Sequence, residues 1–238
     1  MGKKLWAIAD LHLGFSTGKW MNKFGAHWTD HHLKVRANWL EKIEADDLVL
    51  LPGDFSWAMK LQEVAVDFEW LGELPGKKIL IKGNHDYWWP KTKAKMRSVL
   101  PPEVYALKKN ALIVDGVPFV GVRGCDFAPY NKEDFAQTEA ELEKELREFK
   151  LSIENLEALG PLDRPPVALF HYPPFPPGSC DSPFVRLAEE AGCELAVYGH
   201  LHTQAEWERF FQGEFRGVTY RLVACDFLDF DPVLLCEL

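Results

Sequence analysis

Five apolar runs in this chain stop abruptly at glycine, at proline or at residues bearing carboxylate or imidazole groups, and that repeated design limits what the chain can fold into. The breaks fall at Ala9|Asp10, Leu51|Pro52, Lys82|Gly83, Phe170|His171 and Tyr198|Gly199. Runs such as Leu48-Val49-Leu50-Leu51 and Val167-Ala168-Leu169-Phe170 are apolar at every position, not at alternate ones. Such continuity marks strands buried on both faces, as in a parallel sheet covered by helices.

The intervening stretches supply the helices. Asp30 is placed to cap one that carries Leu33, Ala37, Leu40 and Ile43 at helical spacing. Others run from about Leu61 to Leu74, ending at Pro75-Gly76, and around Phe184 to Ala191. Phe135, Leu142, Leu146, Phe149, Ile153 and Leu156 define a long amphipathic helix. Val104–Leu107, Ala111–Val114 and Val117–Val122 read as strands, the last two joined by the hairpin signal Asp115-Gly116, and Gly217–Ala224 and Pro232–Leu235 as terminal strands. The alternation predicts an α/β fold, one large domain over residues 1–238, with ligand groups gathered at the carboxyl ends of the strands.

Composition narrows the partners. A formal charge of -9 argues against an extended nucleic-acid surface, although five of those charges sit on the single segment Lys132–Glu157, which is best read as a solvated helix face. The five cysteines are scattered, odd in number and form no C-x-x-C pair, so reduced, buried thiols and a cytoplasmic location are expected. The run Leu5–Ala9 is too short for a signal peptide and no run reaches membrane-span length, so no membrane partner is expected. His27, His31 and His32 read as surface residues of the first helix.

The strand ends pool seven donors: Asp10, His12, Asp54, Asn84, His171, His200 and His202. Asp10 with His12, and His200 with His202, are spaced by two, which in extended backbone projects each pair to one side. All seven are oxygen or imidazole nitrogen and none is sulfur. That is more than one tetrahedral ion takes; it suits two divalent ions sharing a carboxylate, with Mn, Fe, Zn, Co or Ni favoured over copper(I). Two such ions held by two carboxylates and a hydroxide leave a net positive charge that attracts a phosphate oxyanion.

The ordered pattern D-x-H, G-D, G-N-H-D, H and G-H-x-H resembles the calcineurin-like metallophosphoesterase family over Asp10 to His202, and small bacterial-type predicted phosphohydrolases with G-N-H-D-Y-W-W most of all. The resemblance implies a sandwich of two mixed β-sheets flanked by helices, with a di-metal site at the strand C-terminal edge. It implies that Asp10, His12, Asp54 and His202 hold one ion and that Asp54, Asn84, His171 and His200 hold the other, Asp54 bridging. His85 matches the family histidine near the substrate that binds no metal, and Asp86 the acid that orients it.

The expected activity is metal-dependent phosphoester hydrolysis, in which a hydroxide bridging the ions attacks a phosphomonoester or, slightly favoured, a phosphodiester in line. His85 is the candidate proton donor to the leaving oxygen. The expected substrate is a small phosphorylated molecule, nucleotides included, with Arg123 binding a second anionic group and Trp88 stacking a base. The basic run Lys91, Lys93, Lys95 and Arg97 reads first as a solvated helix face and second as an anion-attracting collar. Specificity is expected in the Gly14–Trp28 loop, the Arg123–Tyr130 loop and the proline-rich turn after His171. A non-catalytic metal-binding scaffold on the same fold is the alternative.

Overall fold

The computed structural model describes residues 2–127 and 135–238, so the end of the Arg123–Tyr130 loop and the start of the acidic segment lie outside the described residues. In chain order the elements are β1 (Lys4–Ala7), α1 (His31–Lys42), β2 (Leu48–Leu51), α2 (Val64–Gly72), β3 (Lys77–Leu80), α3 (Lys93–Arg97) and β4 (Val104–Ala106). There follow β5 (Leu112–Val114), β6 (Val117–Val122), α4 (Phe135–Glu157), β7 (Val167–Phe170), α5 (Pro183–Glu190) and β8 (Leu195–Tyr198). The chain closes with α6 (Gln204–Arg209), β9 (Gly213–Phe215), β10 (Val218–Leu222) and β11 (Val233–Glu237). Two short 3-10 turns, Met21–Phe24 and Ala26–Trp28, shape the long loop after β1.

The chain divides into two compact units, Met1–Ala106 with Val223–Leu238, and Leu107–Leu222, each built on its own mixed sheet flanked by helices. The first sheet runs β11-β1-β2-β3-β4. Its four earlier strands are parallel, and β11 lies antiparallel beside β1. The second runs β5-β6-β7-β8-β10-β9, parallel from β6 to β10 with an antiparallel strand at each edge. The fully apolar runs occupy inner strands, where both faces are buried. Asp115 and Gly116 both take positive φ, 51° and 80°, as the tight turn joining β5 and β6 requires.

Two expectations for α1 need correction. The buried face is His31, Val35 and Trp39, not the predicted stripe: Leu33 is 55% and Leu40 51% exposed, and only Ile43 of that stripe is buried. Trp39 sets the rotation, its ring filling the core and its Nε1 donating to the Pro75 carbonyl. Asp30 makes no side-chain cap; it takes a left-handed conformation and its carbonyl accepts from Leu33 N at 2.9 Å. In the second unit α4 buries Phe149 and Leu156 of its predicted stripe, along with Glu145 and Ser152, and half-buries Leu142, Leu146 and Ile153; the side chain of Phe135 lies outside the described residues.

Among the described residues no helix is long and apolar enough to cross a membrane.

Candidate functional site

In the first unit the loops after β1 and β2 run side by side. Asp10 N donates to Gly53 O at 3.0 Å, His12 N to Asp54 O at 2.9 Å and Leu13 N to Phe55 O at 2.9 Å. This ladder carries Asp10 and His12 to Asp54, and all three side chains are buried. His12 Nε2 lies 3.6 Å from Asp54 Oδ2, and ligand atoms of Asp10 come within 4.8 Å of those of both His12 and Asp54. The spacing-by-two argument does not describe the geometry. Asp10, His12 and Asp54 have φ of 59°, 43° and 50°, so left-handed turns, not extended strand, aim these side chains. Such conformations are costly for residues other than glycine and persist where surrounding structure holds them.

The loop after β3 joins through Asp54, whose Oδ1 accepts from His85 N at 2.7 Å. Gly83 makes this approach possible: a Cβ there would stand 2.1 Å from Asp54 Oδ1 and 2.2 Å from Asp54 N. Asn84 lies half-buried in the same turn. The His85 ring packs 4.6 Å from Trp57 and 5.6 Å from His12, while His12 stacks on Trp57 at 4.7 Å.

Asp86 does a different job from the one its position suggested. Its Oδ1 accepts from Phe55 N, Ser56 N and Trp88 Nε1 at 3.0, 3.2 and 2.9 Å, and its Oδ2 accepts from Gly83 N at 2.8 Å. These donors occupy the carboxylate, which therefore clasps the loops after β2 and β3 and leaves the His85 ring to pack on Trp57 and His12. Burial, then the charge of Asp54, pushes Asp86 up to about 7, and the N–H groups of Gly83, Ser56 and Trp88 pull it down.

The second unit carries His171, directly after β7, and His200, two residues after β8. Gly199 N donates to His171 O at 3.1 Å, which places the imidazole rings 5.1 Å apart. His200 also takes a left-handed φ, 75°, and its ring lies 4.1 Å from that of Tyr172, tilted by 44°. His202 is held by its backbone N–H, which donates to Glu206 Oε2 at 3.2 Å.

Both residues named for substrate binding are committed elsewhere. Trp88 is 3% exposed, packed against Phe55 and Phe68 and donating to Asp86, so it is core and not a stacking platform. Arg123 bonds Glu141 and, at 3.0 Å, Glu145, so its charge is already neutralised by α4. Of the aromatic tail only Tyr87 is exposed.

Three supporting residues escaped the sequence reading. Trp57 carried a signal, since it lies three residues beyond Asp54. His31 carried none: it is 1% exposed, a correction to its placement on the surface, and its Nε2 lies 2.8 Å from Leu11 O, between the two β1-loop donors. Burial lowers its pKa, so the neutral ring donates through one nitrogen, and the shorter Leu11 contact is the better candidate than Trp28 O at 3.2 Å. Cys225, from the segment before β11, donates its thiol to Asp10 O at 3.0 Å.

The donor set fits divalent cations. Asp10 and Asp54 are buried carboxylates with ligand atoms within 4.8 Å, an arrangement of like charges that a bound cation relieves. The model of the calcineurin-like phosphoesterase family matches residues 3–204, a span that includes all seven donors and His85. The chain belongs to this family. Family membership makes it a phosphoesterase by class, one whose relatives use divalent metals. Among solved structures this phosphoesterase is similar to a phosphopantetheinyl hydrolase from Mycobacterium tuberculosis, at 17% identity and TM-score 0.53 over 94% of this chain and 89% of that one. It is also similar to the protein of unknown function AQ665 from Aquifex aeolicus, at 14% identity and TM-score 0.49 over 98% and 95%. A search of curated proteins found no match.

Proposed function

We propose that the protein hydrolyses small phosphoesters, phosphodiesters slightly ahead of monoesters, with two divalent ions. Asp10, His12, Asp54 and His202 hold one ion, and Asp54, Asn84, His171 and His200 the other. When bound, the ions supply a nucleophile at neutral pH and neutralise the phosphoryl oxygens. The donor set of oxygen and imidazole nitrogen suits Mn, Fe, Zn, Co or Ni.

One observation carries this reading: Asp10, His12, Asp54 and His200, all strand-end donors, share the left-handed backbone that few residues adopt. Four costly conformations at four candidate ligands are what a site selected for side-chain aim, and not for stability, should contain.

The chain's own residues do the rest. Asp54 orders the His85 backbone, Asp86 joins the loops that carry both, and Trp57 supports the His85 ring. As the phosphorus–oxygen bond to the leaving group breaks, His85 gives that oxygen its proton and regains one from solvent.

Release of p-nitrophenol from mono- and diesters, measured across divalent ions and after chelation, tests the reaction class. No turnover with any ion would favour the metal-binding scaffold. His85→Ala should retain its metal and lose roughly 100- to 10,000-fold in kcat, the size of a general-acid contribution. Loss of metal in that variant would move His85 among the ligands.

A further inference from the structure

Within the second unit a cavity of about 370 Å³ opens against His200. That is the small end of the range for ligand pockets, roughly 300 to 1,000 Å³. Its lining includes the apolar side chains of the buried Phe175 and Leu201. Tyr172, whose ring packs at 4.1 Å against that of His200, and Phe127 and Phe210 add aromatic rings to the lining. Among the described residues its charged groups are Asp126, Glu206 and Arg209, a formal sum of -1. Glu206 is fixed in place, its carboxylate accepting from Thr203 N and His202 N at 3.0 and 3.2 Å.

We propose that this cavity seats the organic arm of the ester, and that it selects an uncharged or cationic arm with an apolar face over one carrying a second phosphate. The inference rests on the phosphoesterase reading above and adds the substrate class. Apolar walls favour a flat or alkyl body by removing it from water. Two carboxylates against one guanidinium oppose a second anionic group. Arg123 is neutralised by Glu141 and Glu145, so among the described lining residues Arg209 alone offsets the two carboxylates.

Phosphonates, whose carbon–phosphorus bond resists hydrolysis, separate binding from turnover. Calorimetry on the Mn-loaded protein should find benzylphosphonate at least about 10-fold tighter than methylphosphonate, the scale expected for burying one aromatic ring. Methylenebisphosphonate should gain nothing over methylphosphonate. In Phe210→Ala the benzyl preference should fall to within about 3-fold. Should that variant fold poorly, Arg209→Glu changes only an exposed charge and should tighten 2-aminoethylphosphonate by about 3-fold, the size of one exposed charge pair. Turnover of p-nitrophenyl phosphate with equal affinity for benzyl- and methylphosphonate overturns the pocket and leaves the reaction class standing. So does a preference for the bisphosphonate. Absence of both turnover and phosphonate binding overturns the two together.

Discussion

At the scale of single residues, Gly83 is the position where the site tolerates least. Gly83→Ala would drive a methyl group into Asp54 at both its carboxylate and its backbone N, and only backbone movement relieves the second clash. The variant should lose about 1–3 kcal/mol of stability, the usual cost of overpacking, and should bind metal more weakly. Urea denaturation and elemental analysis measure the two effects, and unchanged metal content would show that the close approach is dispensable. Asp86 teaches a related lesson. Its neighbour in sequence, His85, made an acid–base pair the natural reading, yet a carboxylate surrounded by four N–H groups is a structural clasp, and only coordinates reveal which donors reach it.

Elements show what was legible in the sequence and what was not. The inner strands and the order of their donor-bearing ends could be read directly, because burial on both faces leaves an unbroken apolar run. The rotation of α1 could not. Leu33, Ala37 and Leu40 have helical spacing, but a side chain's burial depends on what faces it, and the large Trp39 ring with its bond to Pro75 decides the matter. Trp39→Ala should therefore cost about 3–5 kcal/mol, whereas Leu33→Gln and Leu40→Gln should each stay within about 0.5 kcal/mol. Equal losses in a denaturant titration would restore the leucine face. The short α6 passed unnoticed although Thr203 and Glu206 form a capping box, a signature present in the sequence. The β9–β10 turn at Arg216-Gly217 also takes positive φ at both positions, but without an Asn or Asp it gives a weaker signal than Asp115-Gly116. Left-handed backbone at the donors was invisible, since the same D-x-H letters suit an extended strand.

For the molecule as a whole, stability should depend on pH through Asp67. This fully buried carboxylate on α2 accepts from the Ser56 hydroxyl and, at 3.1 Å, from Phe15 N, and burial pushes it up to about 6 from 3.8 despite those bonds. The folded state thus holds this proton more tightly than the unfolded chain does. Its contribution is fully present below about pH 4, falls as pH rises through 6, and amounts to about 2–3 kcal/mol. Asp67→Asn keeps an acceptor for Phe15 and should flatten that part of the curve. Urea midpoints from pH 4 to 7 in both proteins test this, and parallel curves would assign the pH dependence elsewhere.

The first unit is discontinuous in sequence, and this sets an order for its completion during synthesis. Ala9 N donates to Val223 O at 2.7 Å and Ala9 O accepts in turn from Cys225 N at 3.0 Å, so the backbone on one side of Asp10 is secured by residues the ribosome makes only after all of Leu107–Leu222. The second unit is one continuous stretch and can be fully translated while β1 still lacks β11 as its antiparallel neighbour. Until that strand emerges, β1 is an open edge on the nascent chain, a place where a chaperone or a second nascent strand can pair.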